Sequence, residues 1–362
     1  MKTVDVSLGD NGYLIYVGSG LFKQIGQTLT ENGFSGKLVI ITNAVVNGLY
    51  GELLIATLSH AGFNVITLTV PDGEKYKSLS TAGRLYRNLT RAFADRTTPI
   101  LAVGGGVIGD LAGFVAATYQ RGVPLVQVPT TLLAQVDASI GGKVAVNHGR
   151  LKNQVGVFYQ PRLVIADTNT LRTLDPREFI NGLAEVIKSA VVWDEDLFTF
   201  IEKNIDKIKS LDAEILEETV YRTAGVKAGI VARDERDMDL RNLLNFGHTI
   251  GHGIETALDF GIAHGSAVAI GMIATSRISH ELGLLSRNDL TRLQRIIERA
   301  GLPVTVPNIN VKRVLKAIEH DKKILHGKIR FVLPQSLGKA IVTDVVSPAL
   351  VEKVLVNWHE AT

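Results

Sequence analysis

The sequence predicts an α/β N-terminal domain with a mostly parallel, Rossmann-like sheet and a mainly α-helical C-terminal domain. Three observations support this fold class. Short apolar runs alternate with helical stretches through the first half of the chain, as expected for repeated strand–helix–strand units. Long segments of 3.6-residue period fill the second half. The length of 362 residues is also more than one hydrophobic core usually accommodates.

Five apolar runs predict the strands of the parallel sheet, because strands covered on both faces are continuously apolar. They are residues 38–42, 64–70, 100–103, 125–128 and 163–166. Helices are expected between them, at residues 46–61, 78–94, 107–117 and 132–140. Residues 1–8 alternate in polarity and meet a Gly-Asp-Asn-Gly turn, which predicts a first strand rather than a signal peptide.

The domain boundary is expected at Asp175-Pro176, which is a favourable start for a helix. Domain one is then 1–175 and domain two is 176–362. Helices are expected at residues 177–192, 197–208, 213–232, 240–258, 266–282, 289–300 and 311–319. A β-hairpin is expected over 322–342, with Gly327 at its turn.

Composition excludes several classes of function. The net charge is +3 and the basic residues are scattered, so binding to nucleic acid is not indicated. The chain contains no cysteine, so a transition metal would have to bind His, Asp or Glu. No uncharged apolar run is long enough to predict a membrane span, and a cytoplasmic location is expected.

A glycine-rich turn follows the predicted strand at 100–103. Gly104, Gly106 and Gly109 match the pattern G-x-G-x-x-G, which lets a backbone approach phosphates at a helix N-terminus. An ordinary tight turn is the alternative interpretation. The motif lies on about the fourth strand, and no acid ends the next strand, unlike a Rossmann fingerprint. Asp72 or Glu74, in the preceding segment 71–77, can instead hold ribose hydroxyls, although that segment also fits a simple turn.

Two further segments of the first domain carry polar side chains. Thr131 ends a strand and can cap the following helix. Residues 137–153 form a glycine-bearing polar segment that suits a phosphate or a polyol, or is a solvated loop. Its polar residues are Asp137, Lys143, Asn147, Lys152 and Asn153.

Glu185 and Lys188 are three residues apart on a predicted helix, with Asn181 one turn earlier. Such pairs are usually surface salt bridges. Here the flanking residues are apolar all round, so the helix is expected to be buried, and buried charges need partners or a role.

A set of residues spaced 4, 3, 4 and 3 would share one face of a helix about 22 Å long. This polar stripe consists of Arg241, Asn245, His248, His252 and Glu255. His264 supplies a third imidazole. Either both histidines of the stripe bind a metal, or one binds it and the other transfers protons. Two histidines and a carboxylate with an open position form a common catalytic zinc site.

The residues before the polar stripe leave two interpretations open. Lys227, Arg233 and Asp237 can bind an anion or form a solvated face. The segment 321–323 is typical of a solvated turn.

Collected together, these motifs resemble the 3-dehydroquinate synthase family of sugar-phosphate cyclases. The resemblance runs from the first strand to the last helix. It rests on Pro71–Lys77, Gly104–Asp110, Tyr119–Gly122, Gln127–Leu133, Gln135–Asp137, Gly141–Lys143, Ala145–Asn147, Lys152-Asn153, Gly182–Lys188, Leu243–Thr249 and His264-Gly265. It implies a dehydroquinate synthase-like fold in which domain one, 1–175, binds NAD and domain two, 176–362, binds metal and substrate. It also implies zinc (with cobalt as a substitute) and a homodimer.

The resemblance also implies roles for individual residues. The metal ligands are Glu185, His248 and His264. NAD contacts fall on Asp72, Gly73, Glu74, Lys75, Tyr76, Lys77, Gly106, Val107, Ile108, Gly109, Asp110, Thr130, Thr131, Lys143, Lys152, Thr170, Leu171, Arg172 and Thr173. Substrate contacts fall on Lys143, Asn153, Lys227, Arg241, Asn245 and Lys323, with Arg121 reaching the neighbouring subunit's phosphate site. Catalytic roles fall on Asp137, Lys188, Asp237 and His252. Glu255 also matches the family pattern, and we expect it to orient a histidine.

The implied reaction cyclises 3-deoxy-D-arabino-heptulosonate 7-phosphate to 3-dehydroquinate, the second step of the shikimate pathway. Transient oxidation at C5 by NAD acidifies the C6 proton, so that phosphate can be eliminated before the ring closes. Zinc polarises the substrate hydroxyls as a Lewis acid. His252 is the expected proton carrier, and a guanidinium at Arg241 suits the carboxylate.

The chain departs from the family pattern at Val144, Ser266, Asp237 and Ser189-Ala190, where the family usually has Thr, Glu, Glu and Tyr-Gly. Three alternatives remain. The first is a sister cyclase acting on sedoheptulose 7-phosphate, and the second is a metal-dependent polyol dehydrogenase. The third is a non-catalytic paralogue that binds NAD only.

Overall fold

The computed structural model describes residues 1–149, 151–306, 309–320, 324–325 and 328–356. The chain divides into two compact units. The first contains Met1–Asp175 and Leu216–Arg236, and the second contains Pro176–Ile215 and the chain from Asp237 onward. The break after Asp175 lies at the expected position. Leu216–Arg236, which we expected in the second domain, clusters with the first instead.

The first unit is built on a seven-stranded sheet in the order β1-β2-β9-β6-β5-β3-β4. Every neighbouring pair is parallel except β1–β2. The first unit's strands are β1 Lys2–Val6, β2 Tyr13–Gly18, β3 Lys37–Asn43, β4 Asn64–Val70, β5 Ile100–Gly104, β6 Leu125–Pro129, β7 Lys143–His148, β8 Leu151–Phe158 and β9 Leu163–Asp167. The predicted fold class is confirmed, and β2 is a strand that the sequence pattern did not predict.

Helices cover both faces of this sheet. Among the described residues the helices are α1 Ile25–Glu31, α2 Ala44–His60, α3 Leu79–Arg91, α4 Gly106–Thr118, α5 Pro176–Trp193, α6 Glu195–Lys209, α7 Ala213–Arg233, α8 His248–Ala257, α9 His264–Glu281, α10 Arg287–Ala300, α11 Val311–His320 and α12 Pro348–Val356. One apolar cluster joins Leu85 and Leu111 of α3 and α4 to the sheet. A second joins Ile25 and Leu58 of α1 and α2 to the other face.

The segment from 132 to 158 differs from its prediction. The helix expected at 132–140 is present but ends earlier, and its residues Ala134–Ala138 form a π-helix. The expected polar loop is largely an antiparallel hairpin of β7 and β8. Val144, a departure from the family pattern, is buried on β7. A Cβ atom on Gly113 of α4 would lie only 2.3 Å from Val144 Cγ1, so Val144 packs tightly against that helix.

The second unit is mainly helical. Two short antiparallel hairpins accompany its helices, β10 Ile324–Leu325 with β11 Lys328–Ile329 and β12 Phe331–Ser336 with β13 Lys339–Thr343. Hairpin structure in 322–342 is therefore confirmed, but two hairpins replace the single one predicted. Gly338 (φ +88°) lies at the turn of the second hairpin. Gly327 lies outside the described residues. No helix within the described ranges has both the length and the apolarity needed to cross a bilayer.

Candidate active site

The polar stripe is not one continuous helix, which corrects the prediction from spacing. Leu240–Asn245 is a 3₁₀ segment, and α8 begins only at His248. Gly247 separates them with φ of +78°, in the left-handed region that favours glycine. A Cβ atom there would lie 2.6 Å from Met272 Cγ of α9. The chain turns at Gly247 because the backbone packs directly onto α9, so the stripe is divided.

Three side chains of the second unit converge on one point. Glu185 lies on α5, His248 begins α8 and His264 begins α9. Glu185 Oε1 lies 3.5 Å from His248 Nε2 and 3.7 Å from His264 Nε2. All three ligand atoms lie within 4.8 Å of one another. Bonds of about 2.0 Å at tetrahedral angles would separate ligand atoms by about 3.3 Å, so this group fits zinc with small movements.

The surroundings of Glu185 also fit a cation. The carboxylate is 1% exposed. Its Oε2 forms an ion pair with the Lys188 ammonium, whereas Oε1 faces the two imidazoles and accepts no hydrogen bond from the described residues. A buried carboxylate oxygen without a donor is unfavourable, and a metal ion would satisfy it. The predicted burial of α5 is confirmed.

Each metal-facing histidine is oriented through its other ring nitrogen. His248 Nδ1 lies 3.1 Å from the Phe246 carbonyl oxygen, and His264 Nδ1 lies 3.4 Å from Glu255 Oε1. A carbonyl or an ionised carboxylate can only accept, so Nδ1 carries the proton in both rings. Nε2 is then the lone-pair donor, which is the arrangement that metal-binding histidines usually show.

The charges around His264 favour a positive group. Burial lowers the pKa of His264, but the hydrogen bond to Glu255 and the charges of Glu185 and Glu255 raise it by more. The net pKa therefore lies above its ordinary value. The same negative surroundings that favour a proton on this ring also favour a metal cation beside it.

A second group, His252, Glu255 and His264, also brings three ligand atoms within 4.8 Å. Glu255 Oε2 lies 3.9 Å from His252 Nε2. This group is the weaker metal candidate, because its carboxylate already accepts from His264 Nδ1. His252 is 39% exposed and is not part of the Glu185 group, so it remains the candidate proton carrier.

In the first unit, the glycine-rich turn lies at the carboxyl end of β5. Gly105 precedes α4 and offers no side chain as a cap. A Cβ atom on Gly104 would lie 2.7 Å from Ile108 Cβ, and one on Gly109 would lie 2.9 Å from Gln127 Oε1. The close packing of β5, α4 and β6 explains both glycines structurally. The partly buried N-terminus of α4 still favours an anion.

Three separate motifs of the first unit meet around Lys77, which is almost fully buried. Its ammonium donates to Asp110 of α4 and to Asn153 of β8. Asn147 of β7 donates to Glu74 over 2.8 Å. The segment at 71–77, the glycine-rich turn and the β7–β8 hairpin are therefore one polar cluster. Burial raises the pKa of Asp110 to about 6, although the Lys77 charge opposes this shift.

Sequence reasoning missed two residues of this region. Asn43 ends β3, caps α2 and donates to Asp72 Oδ1 over 2.6 Å. Gln135 is fully buried and donates to Thr170 Oγ1 and to the Asp167 carbonyl oxygen. Both residues hold positions that the family resemblance assigns to NAD contacts. An asparagine directly after an apolar strand was the available signal for Asn43.

The remaining NAD candidates lie on nearby turns of the first unit. Thr131 Oγ1 accepts from Ala134 N over 3.2 Å, so its capping role is confirmed. Thr168–Arg172 is a 3₁₀ segment that follows β9. Thr173 Oγ1 forms a hydrogen bond with Tyr50 OH.

Among the substrate candidates of the first unit, Lys227 of α7 forms an ion pair with Asp137 and donates to its carbonyl oxygen over 2.6 Å. Lys143, Lys152 and Arg121 are exposed. The backbone of Arg121 has φ of +66°, in a region that residues other than glycine rarely adopt.

In the second unit, Arg241 is 3% exposed, whereas Asn245 is partly buried. Asp237 is partly buried with φ of +60°. Ser266 lies in the first turn of α9, directly after His264-Gly265. Lys323 lies outside the described residues.

The fold and these two groups of side chains define a metal- and dinucleotide-dependent enzyme. Two solved structures share the fold closely. One is 2-epi-5-epi-valiolone synthase from Streptomyces hygroscopicus subsp. jinggangensis with NAD⁺ and Zn²⁺ bound, at 29% identity and TM-score 0.89, covering 97% of both chains. The other is 2-deoxy-scyllo-inosose synthase complexed with carbaglucose-6-phosphate, NAD⁺ and Co²⁺, at 27% identity and TM-score 0.89, covering 98% of this chain and 99% of that one.

Sequence comparison identifies the family. The model of the 3-dehydroquinate synthase N-terminal domain matches residues 67–181, and that of the C-terminal domain matches 182–324. A 3-dehydroquinate synthase from Dehalococcoides mccartyi is 48% identical over 95% of this chain and 96% of its own. The chain belongs to the 3-dehydroquinate synthase family and is an enzyme of that kind.

Proposed function

We propose that this chain converts 3-deoxy-D-arabino-heptulosonate 7-phosphate to 3-dehydroquinate and phosphate, the second step of the shikimate pathway. The observation that carries the proposal is the convergence of Glu185, His248 and His264 in a chain of this family. The donor set, its burial and the orientation of both rings suit a divalent metal. The polar cluster around Lys77 and the α4 N-terminus suit a dinucleotide.

Bound metal would polarise substrate hydroxyls as a Lewis acid, and bound NAD would accept and return a hydride. The protein residues have complementary roles. His252 is close enough to Glu255 and exposed enough to transfer a proton. Lys188 holds the Glu185 carboxylate in position. The ion pair of Lys227 with Asp137 places a cation and a carboxylate together. Lys227 can bind an anionic group of the substrate, and Asp137 can accept a hydrogen bond from a hydroxyl.

The remaining roles follow the family pattern. NAD would contact the segment 72–77, the turn 106–110, Thr130, Thr131, Lys143, Lys152 and the segment 170–173. Asn153, Asn245, Lys143 and Lys323 would bind phosphate, and Arg241 would bind the carboxylate. Asp237 is the candidate for a further acid–base group.

A sister cyclase acting on a sugar phosphate without a carboxylate is the second candidate, since both solved structures are sister cyclases. Arg241 opposes it, because a planar guanidinium suits the two oxygens of a carboxylate, which the substrate of a sister cyclase lacks.

The decisive experiment is phosphate release from the heptulosonate phosphate, with and without a chelator. We expect release that depends on metal and on catalytic NAD, without net NADH. Glu185→Gln should abolish it, and Glu202→Gln, in a surface ion pair with Arg292, should leave it unchanged. Cyclisation of sedoheptulose 7-phosphate alone would establish the sister activity, and net NADH would indicate a dehydrogenase. NAD binding without metal or phosphate release would indicate a non-catalytic paralogue.

We also propose that the enzyme is a cytoplasmic homodimer in which Arg121 serves the neighbouring subunit. The exposure and strained backbone of Arg121 support a role away from its own core. Mixed refolding of Arg121→Ala with Glu185→Gln should restore part of the activity that each variant lacks alone. Absence of complementation, or a monomer by light scattering, would contradict the dimer.

A further inference from the structure

Asn181 lies on α5, one helical turn before Glu185, and contacts the first turn of α9. Its side chain is largely buried, and Asn181 Oδ1 accepts a hydrogen bond from the Gly265 backbone N–H. Gly265 is the residue after His264, the first residue of α9. Ala263, at the N-cap of α9, makes no side-chain cap hydrogen bond. The cap of α9 therefore comes from a different helix, and it is Asn181.

The two backbones also touch at this point. A Cβ atom on Gly265 would lie 2.1 Å from the Asn181 carbonyl oxygen and 2.8 Å from its carbonyl carbon. No larger residue fits at Gly265 without separating α5 from α9. The hydrogen bond and the close contact together fix the start of α9 against α5, on which Glu185 lies.

We propose that Asn181 is a positioning residue that holds His264 in place relative to Glu185, and so sets the affinity and coordination geometry of the metal. This inference rests on the proposed metal site. In this proposal Asn181 does not contact the metal. It holds the Gly265 backbone and thereby the position of His264.

The physical basis is the weakness of an uncapped helix end. The first N–H groups of a helix have no intrahelical acceptor, so removal of the Asn181 acceptor leaves the buried Gly265 N–H unsatisfied. Fraying of this turn would move His264, because that residue is the first of the helix. Loss of an interaction that orients a metal ligand typically weakens metal binding about 10- to 100-fold.

The test compares Asn181→Leu, which removes the acceptor at similar size, with Asn181→Asp, which keeps an oxygen at the same place. Asn204→Leu is the matched control, because Asn204 is a partly buried asparagine on α6, which carries no metal ligand. Apo-protein is titrated with Co²⁺ in the absence of NAD. The readouts are the dissociation constant and the visible absorption, which reports coordination geometry.

We expect Asn181→Leu to bind Co²⁺ about 10- to 100-fold more weakly with an altered spectrum. Asn181→Asp should stay within about fivefold of wild type, with the wild-type spectrum, because a carboxylate oxygen also accepts from Gly265. Asn204→Leu should match wild type. Asn181→Ala provides the same comparison if the leucine variant does not fold.

Wild-type affinity and spectrum in Asn181→Leu or Asn181→Ala would overturn the inference. Equal losses in Asn181→Asp and Asn181→Leu would also overturn it, since the acceptor atom would not be the cause. If neither wild type nor Glu185→Gln binds Co²⁺, the proposed metal site itself fails. That outcome is distinguishable from failure of the Asn181 inference, in which wild type still binds Co²⁺.

Discussion

Glu255 is a residue whose predicted role the structure supports with specific contacts. The sequence placed it at the end of the polar stripe as a hypothetical group that orients a histidine. In the structure it accepts from His264 Nδ1 and lies near His252 Nε2. One buried carboxylate thus contacts both the candidate ligand and the candidate proton carrier, which supports the orienting role and weakens the second metal group.

Asp110 provides a prediction for pH at the residue scale. Its pKa in the folded protein is raised from 3.8 to about 6, mainly by burial. Between these values the folded protein binds a proton that the unfolded chain does not, so the free energy of unfolding falls as pH rises. In the wild type this fall should amount to on the order of 1–3 kcal/mol between pH 4 and 6.5. Asp110→Asn should remove it. Urea unfolding without NAD measures it.

Asp95 supplies the matched control for that measurement. Hydrogen bonds from Thr97 and Thr98 lower its pKa to about 2, so its contribution changes only below pH 3.8. Asp95→Asn should therefore differ from wild type by a constant amount between pH 4.5 and 7. A wild-type slope that persists in Asp110→Asn would show that another group titrates.

Among the elements, α8 and α9 approach each other backbone to backbone. Gly271 and Gly247 are in closest contact, because a Cβ on Gly271 would lie 2.0 Å from the Gly247 oxygen. A Cβ on Gly251 would lie 2.9 Å from the Ala267 oxygen. Glycines thus bring the starts of α8 and α9, with His248 and His264, close enough to share one metal.

Gly247→Ala tests the importance of this packing. The alanine methyl would meet Met272 and the Val268 oxygen, at a backbone φ of +78°. Overpacking and left-handed strain together should lower the free energy of unfolding by about 2–5 kcal/mol and weaken metal binding through His248. Urea unfolding and Co²⁺ titration would measure the two effects.

Gly229→Ala on α7 is the comparison, since a Cβ there meets nothing within 4 Å. It should be neutral or stabilising by up to about 1 kcal/mol. Equal stability of Gly247→Ala and wild type would show that α9 can move away at little cost.

At the scale of the whole molecule, the metal group lies entirely in one compact unit and the Lys77 cluster entirely in the other. A ligand stabilises the state that binds it, by about 2.7 kcal/mol at 100 times its Kd. Zinc should therefore slow amide hydrogen exchange mainly around α5, α8 and the start of α9. NAD should slow it mainly at Asp72–Lys77 and Gly104–Asp110. Mass spectrometry of each binary complex would resolve these segments, and protection by zinc confined to the first unit would contradict the metal assignment.

The sequence predicted the parallel sheet well, because apolar runs and helical periods are local consequences of burial. It predicted the β7–β8 hairpin and the division of the polar stripe poorly. The segment from Asp137 to Asn153 was predicted as a loop because its many polar residues obscure the alternation of polar and apolar residues that indicates strands. The structure pairs β7 with β8 there. The prediction of one continuous helix used only the spacing of the polar residues. It did not account for Gly247, whose backbone conformation depends on packing against α9.

By itself, the sequence determined the fold class, the family and the types of side chain available for metal and nucleotide, because these depend on pattern and composition. Only the tertiary structure decided that Glu185 Oε1 faces the Nε2 atoms of His248 and His264, and that Phe246 and Glu255 orient those rings. These three side chains come from three helices. Their spacing is set by close contacts at Gly265 and Gly271, which arise from packing and leave no periodic signal along the chain.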